Sequence, residues 1–384
     1  MKKYKNTLLQ SNELFYLKLR RNKYKKGKKK KLNINICTFL FFIIFFIIIF
    51  SVCYYLIIFK RKNNNQSDKN LNNINIKTSQ NLIESYIKSQ KDFCENPNKY
   101  INQKYEESIF LSDVNFSETK FQMYIFKSAN FILNQFKKYG AFEIVESKNM
   151  IDALKFYSSK YNILNNKDIF MLDIGGNIGW YPSLLGRYGY SILSFEAFEK
   201  NNYVAKKNYC LLNKDSNVIL ITQGLGSEEK NCYYFNQRVN AGNGMVICDD
   251  KSKLKRIGPG KMFIKESQVK ITTLNAFIPF LSNKHIALIK IDVEGHEFEV
   301  FEGGKELITK YHVPFITLEF SPSYLKDVGS NPRQLAQLFV DNAYKISIEG
   351  FFSKKYLTVD ELLKKAGFQI DCYFIHDSII NNKE

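Results

Sequence analysis

The chain has 384 residues, 45% of them apolar, which allows one core of about 200 to 250 residues plus appendages and excludes a mainly disordered protein. Its formal charge of +19 is unevenly placed: residues 1–62 carry 16 Lys/Arg against the single acid Glu13, a balance of +15, which leaves 19 − 15 = +4 for the remaining 322 residues. So small an excess in the part that folds argues against nucleic-acid binding.

Residues 1–31 read as a basic cytosolic tail ending in Lys28-Lys29-Lys30-Lys31. From Leu32 to Phe59 no charge occurs, and the run from Phe39 to Phe50 offers no polar face to a globular surface. Such a segment, at about 1.5 Å per residue, spans a hydrocarbon layer of roughly 30 Å with some tilt. Thirteen Lys/Arg precede it and only Lys60, Arg61 and Lys62 follow closely, so the N-terminus is expected in the cytosol. The leader is too long for a cleaved signal peptide, and no small-residue cleavage site follows the apolar run. The expectation is a single-pass type II membrane protein of the Golgi or endoplasmic reticulum, with a signal anchor over 32–59 and the remainder in the lumen.

Residues 60–80, rich in Asn, read as a flexible stem. Five cysteines lie beyond the span, Cys94, Cys210, Cys232, Cys248 and Cys372, an odd number that permits two disulfides and a spare thiol; no Cys/His metal spacing occurs. Asn65-Gln66-Ser67 and Asn115-Phe116-Ser117 are glycosylation acceptors if the domain is lumenal. Helical spacing at Ile83, Tyr86, Ile87 and at Phe121, Tyr124, Ile125, Phe131, Ile132, Phe136, with Gly140 as a stop, predicts a helical lead-in over 81–144.

Over 145–384 the pattern changes to short apolar runs alternating with helices. Ile169–Ile174, Ser191–Phe195, Asn217–Thr222, Ile286–Ile291 and Pro314–Phe320 read as strands buried on both faces, with helices over Trp180–Tyr188, Tyr203–Leu212 and Glu297–Lys310 between them. This predicts an α/β, doubly wound, mostly parallel sheet, whose ligand lies beyond the carboxyl ends of the central strands.

The first strand ends in Asp173-Ile174-Gly175-Gly176-Asn177-Ile178-Gly179. Its glycines allow a sharp turn and close backbone approach, and the following helix offers unpaired N–H groups. A dinucleotide fingerprint would need Gly where Ile174 stands. An acid two residues before the first glycine suits a ligand with an ammonium group better than a pyrophosphate. Glu196, ending the second strand, is placed to accept from both hydroxyls of a ribose. The fourth strand ends in Lys290-Ile291-Asp292-Val293-Glu294-Gly295-His296-Glu297. There Asp292 is expected to face the cleft and His296 to take a proton from a hydroxyl nucleophile, with Glu294 a third candidate catalytic group.

Taken together with Thr273-Leu274-Asn275, Gly303-Gly304 and Leu318-Glu319-Phe320, these segments resemble the FkbM methyltransferase domain in order and spacing, over roughly residues 145–320. The resemblance implies a Rossmann-like class I methyltransferase fold, S-adenosylmethionine as donor, and O-methylation. Asp173, Gly175, Gly176, Asn177, Gly179 and Glu196 would then hold the cofactor, and no metal is expected. Gly176, Ala197 and Asn275 depart from the family pattern, which has Ala, Pro and Asp there. With a lumenal address, the acceptor is expected to be a hydroxyl on a glycan, glycoprotein or lipid. Two rivals are a membrane-anchored glycosyltransferase using Asp292 and Glu294 as an acid-x-acid site, and an inactive methyltransferase fold that only binds partners.

Overall fold

The computed structural model of the protein describes residues 76–128, 131–213, 215–237, 244–248 and 263–380. The expected basic tail, the membrane span 32–59 and the stem up to residue 75 lie outside the described residues. Among the described residues no helix is long and apolar enough to cross a membrane.

The strands, in chain order, are β1 (Ile109–Phe116), β2 (Thr119–Phe126), β3 (Ile169–Ile174), β4 (Ser191–Phe195), β5 (Val218–Ile221), β6 (Gly224–Leu225), β7 (Lys230–Gln237), β8 (Gly244–Ile247), β9 (Phe263–Thr272), β10 (His285–Ile291), β11 (Phe315–Phe320), β12 (Tyr344–Ser347) and β13 (Ile370–His376). Seven of them form one sheet in the order β12-β13-β11-β10-β3-β4-β5. The pairs from β11 across to β5 are parallel, and β13 runs antiparallel to both its neighbours. Every side chain of β3 and β4 is buried, because helices cover both faces of the sheet. The chain winds outward from β3 in both directions, so the switch point lies between β3 and β10. Ile174 pairs with Phe195 on one side and Ile291 on the other, so Gly175, Glu196 and Asp292 leave the sheet at one level.

Two expectations are corrected. The lead-in over 81–144 is not all helical: Phe121, Tyr124 and Ile125 lie in β2, which pairs along its whole length with β1. Aromatic and β-branched residues dominate that stretch, and burial of Met123 and Ile125 follows the two-residue period of a strand. The helices at 76–95 and Phe131–Tyr139 do form, the first with its opening five residues inside the segment expected as a flexible stem over 60–80. The helix expected over Glu297–Lys310 is two short ones, Glu297–Glu302 and Glu306–Thr309, interrupted at Gly303-Gly304. A four-stranded sheet, β6-β9-β7-β8, stands between β5 and β10 in sequence and was not anticipated.

The edge strand β5 is covered rather than left open. Gln90 on helix 76–95, 3% exposed, donates to the Val218 carbonyl at 3.0 Å and accepts from the Leu220 amide at 2.9 Å, as a neighbouring strand would. Cys94 of the same helix is joined to Cys210, and Cys232 to Cys248 across β7 and β8, while Cys372 is a buried free thiol. The first bridge closes 116 residues of sequence, a loop for which chain entropy gives about 4 to 5 kcal/mol. Replacing Cys94 and Cys210 together by Ala should lower unfolding stability by about 2 to 5 kcal/mol, read as a lower urea midpoint. An unchanged midpoint would mean the helix gains nothing from this link.

Candidate active site

The turn after β3 is built by backbone contacts. Gly175 sits at φ +78°, and its amide and that of Gly176 both donate to the Phe195 carbonyl at 2.9 Å. A Cβ on Gly175 would lie 1.8 Å from the Asp292 carbonyl oxygen, and one on Gly176 2.3 Å from the Ser194 hydroxyl. These glycines therefore make room for neighbouring parts of the protein, Gly175 for Asp292 and Gly176 for Ser194. Asn177, at φ +51°, turns its amide onto Glu196 Oε2 at 2.7 Å.

Glu196 is 7% exposed, and its Oε1 accepts from the Phe198 amide at 2.7 Å. Burial pushes its carboxyl up to about 7, partly offset by the amides of Phe198 and Asn177. Asp173 is fully buried under the turn; Oδ2 accepts from Ser194 at 2.8 Å and Oδ1 has no hydrogen-bond partner. Burial raises its carboxyl above the usual range, against the pull of Lys290.

Lys290 is the residue that ties the site together. Its ammonium donates to the Gly175 carbonyl at 3.0 Å and stands 3.6 Å from Asp292 Oδ2, so the loops after β3 and β10 share one buried cation. Neighbouring carboxylates, Asp292 first, hold it charged despite burial. Its signal in the sequence is a lone charge inside an apolar strand. After Asp292 the backbone enters the left-handed region at Glu294 (φ +55°) and Gly295 (φ +107°), a turn held by Glu297, whose Oε1 accepts from the amides of Val293 and Gly295 at 3.3 and 3.1 Å. Burial and the charges of Asp292 and Glu297 raise the Glu294 carboxyl well above its ordinary range.

His296 differs from expectation. Its Nδ1 lies 3.1 Å from Glu299 Oε2 and its Nε2 2.7 Å from the Val246 carbonyl. Both partners can act as acceptors, so both ring nitrogens are engaged within the protein. Glu299 raises its pKa against burial. His296 thus clamps β8 to the start of helix Glu297–Glu302 rather than standing ready as a base.

A cleft beyond β3, β4 and β10 is lined by Gly175, Asn177, Glu196, Asp292, Glu294 and His296 from the expected set. Asp173, Gly176 and Gly179, expected there too, do not line it: Asp173 and Gly176 pack beneath the turn, and Gly179 packs against Ala205. Asn201, 3% exposed with its Oδ1 unpartnered, and Tyr234, stacked on Phe198 with centroids 3.8 Å apart, were not foreseen. Among the described residues, no group of three or more His, Cys, Asp or Glu is arranged to hold a metal.

The Methyltransferase FkbM domain family matches residues 173–370, just over half of the chain. The chain belongs to the FkbM methyltransferase family. The match starts at Asp173 and ends within β13, so it takes in all three cleft loops and the inserted sheet. "Methyltransferase 1" of Beauveria bassiana is 32% identical over 146 residues, 35% of this chain and 58% of that protein, so the chain spans less than two thirds of this curated relative. A magnesium protoporphyrin IX methyltransferase from Synechocystis, solved with bound S-adenosylmethionine, is 11% identical at a TM-score of 0.32, over 65% of this chain and 85% of that one. The bifunctional kinase-methyltransferase WbdD is 10% identical at 0.35, over 65% and 44%.

Within this FkbM domain the departure at Asn275 falls outside the cleft: the residue is exposed, and its amide donates to the Gly303 carbonyl at 2.9 Å. The cleft measures about 90 Å³, below the roughly 300 Å³ at which ligand pockets begin, so a nucleoside enters only if its walls part. A second cavity, about 570 Å³, opens on the other side of Asp292 between β10, β11 and the helices at Phe131–Tyr139 and Ile144–Lys160. Glu143, Glu146, Glu319 and Asp371 line it around Lys290. Burial and the charges of Asp292 and Glu294 push Glu319 up to about 10, and burial pushes Glu143, which accepts from the Tyr181 hydroxyl, up to about 7.

Proposed function

We propose that this protein transfers a methyl group from S-adenosylmethionine to a hydroxyl of a glycan, glycoprotein or lipid. The observation that carries the reading is the position of Asp292, which lines both the cleft and the 570 Å³ cavity and is a third exposed. A group standing between two cavities can face a donor in one and an acceptor in the other. S-adenosylmethionine supplies, when bound, a methyl group on a sulfonium. Glu196 would accept from the ribose hydroxyls, with Gly175, Asn177 and Asn201 around the nucleoside. The chemistry of this set fits: a half-ionised carboxyl for two hydroxyls, and an unpartnered amide oxygen on Asn201 for a donor. Asp173 and Lys290 act from beneath, fixing the two loops at their spacing. Asp292 then orients the acceptor hydroxyl and takes its proton, which positioning makes effective. Glu319, pushed up to about 10, presents a hydroxyl rather than a charge to the 570 Å³ cavity at neutral pH.

Ligand binding tests the donor half. At one hundred times its Kd, S-adenosylhomocysteine should add about 2.7 kcal/mol of stability, a rise in melting temperature of about 5 to 10 °C. A nucleoside diphosphate with Mn²⁺ should add none. The reverse pattern would make the protein a glycosyltransferase.

The proposal includes an anchor over 32–59 with the enzyme domain in the lumen of the Golgi or endoplasmic reticulum. What supports it is the charge-free run behind thirteen Lys/Arg, together with two disulfides, which persist in oxidising compartments. In sealed vesicles protease should leave residues 63–384 intact until detergent is added. Digestion without detergent would put the domain in the cytosol.

A further inference from the structure

A third cavity, about 550 Å³, lies away from the 570 Å³ cavity, between helix 76–95, residues 100–105, the helix Glu199–Tyr209 and β9. Five aromatic side chains line it: Tyr86, Phe93, Tyr100, Tyr105 and Tyr203. They brace one another, with Phe93 5.4 Å from Tyr100 and 5.8 Å from Tyr203, and Tyr105 5.5 Å from Tyr203, centroid to centroid. The disulfide from Cys94, next to Phe93, to Cys210 ties the helix that carries Tyr86 and Phe93 to the end of the one that carries Tyr203. Glu106 adds a second tie by accepting from Tyr203 and, at 2.6 Å, from Lys207. Walls fixed in advance lose little freedom when a ligand arrives.

Several of the polar groups around these rings are uncharged. Among the described residues, the amides of Gln223 and Gln268 and the hydroxyls of Tyr86 and Tyr105 have no hydrogen-bond partner, and all four residues line the cavity. Asn202, 5% exposed, donates to the Glu196 carbonyl at 2.9 Å, while its own carbonyl oxygen meets no donor. An acyl chain would leave these groups unpaired at a cost in affinity. The lining also carries Lys206, which stands 5.7 Å over the Phe93 ring, Lys270 and the acid Glu199, so an anion would meet charges of both signs there. A pyranose ring matches both features: its C–H face is apolar, and its hydroxyls both donate and accept, as the amides do.

We propose that this cavity binds a carbohydrate, a neutral hexose or N-acetylhexosamine unit, at a site separate from the donor cleft. Ala197 lines both cavities, so the sugar lies on the far side of the segment that follows Glu196. The assignment does not depend on methyl transfer.

The test uses the full chain in detergent on an array of oligosaccharides ending in neutral hexoses, N-acetylhexosamines or uronic acids. Retention on neutral termini is expected, with Gln268→Ala and Tyr105→Ala each weakening it by about tenfold or more. Gln268 is exposed, so its replacement should leave the melting temperature unchanged. Binding of S-adenosylhomocysteine, measured separately, should be the same in both variants, which keeps the sugar site and the methyltransferase reading independently testable. The proposal is overturned by retention on uronic acids alone, by no retention, by variants that bind as well as the parent, or by loss of retention when S-adenosylhomocysteine is added.

Discussion

Asp292→Asn should lower turnover by about 10² to 10⁴ while leaving S-adenosylhomocysteine affinity within a few fold. The substitution keeps the shape and removes the charge. The Asp292 amide still donates to the Ile174 carbonyl at 3.0 Å, so the turn after β10 keeps its backbone anchor. Lys290 loses an ionic partner at 3.6 Å but keeps the Gly175 carbonyl at 3.0 Å. The donor cleft should therefore survive. A purely structural role predicts otherwise: the stranded buried ammonium would cost stability, and melting temperature, affinity and turnover would fall together. Full turnover at a normal melting temperature would take Asp292 out of the reaction.

Glu196→Ala should weaken S-adenosylhomocysteine by about tenfold or more, since each hydrogen bond to a charged group contributes about 1.5 to 3 kcal/mol. It also leaves the Asn177 and Phe198 amides without their acceptor, so Glu196→Gln, which keeps an acceptor oxygen, is the cleaner comparison. A pH series isolates the charge. The carboxyl is raised from its ordinary 4.5 to about 7, so burial disfavours the ionised form, and this residue's effect on folding becomes less favourable as pH climbs from about 4.5 through 7. Binding runs the other way, because ribose hydroxyls donate to the carboxylate. Affinity should rise about tenfold from pH 6 to pH 8, as the ionised fraction goes from roughly a tenth to nine tenths. In Glu196→Gln the profile over that range should be flat. A flat profile in the parent protein, measured by calorimetry, would exclude Glu196 from nucleoside contact.

Much of the fold was legible because its signals are local. The strand ends at Ile174, Phe195 and Ile291 were read to the residue, since a fully buried parallel strand is a short apolar run stopped by a turn or an acid. Alternation of strand and helix then dictates a doubly wound sheet and, with it, the end at which chemistry sits. The hairpin β1–β2 was misread because its aromatic residues also satisfy a helical spacing, and only pairing with a partner strand decides between the two periods.

The sequence by itself determined the acids and the glycine loop of the cleft, and the number of cysteines left to pair. Tertiary structure decided what each of them does. Gly175 and Gly176 proved to make room for Asp292 and Ser194, because the atoms they admit come from the ends of the two neighbouring strands, β10 and β4. His296 lost its role as a base to two acceptors, one of them on β8, 50 residues earlier. Lys290 became the tie between two loops only once β3 and β10 were neighbours. Protonation and hydrogen bonding depend on what stands within a few ångströms, and for a buried group most of those neighbours are remote along the chain.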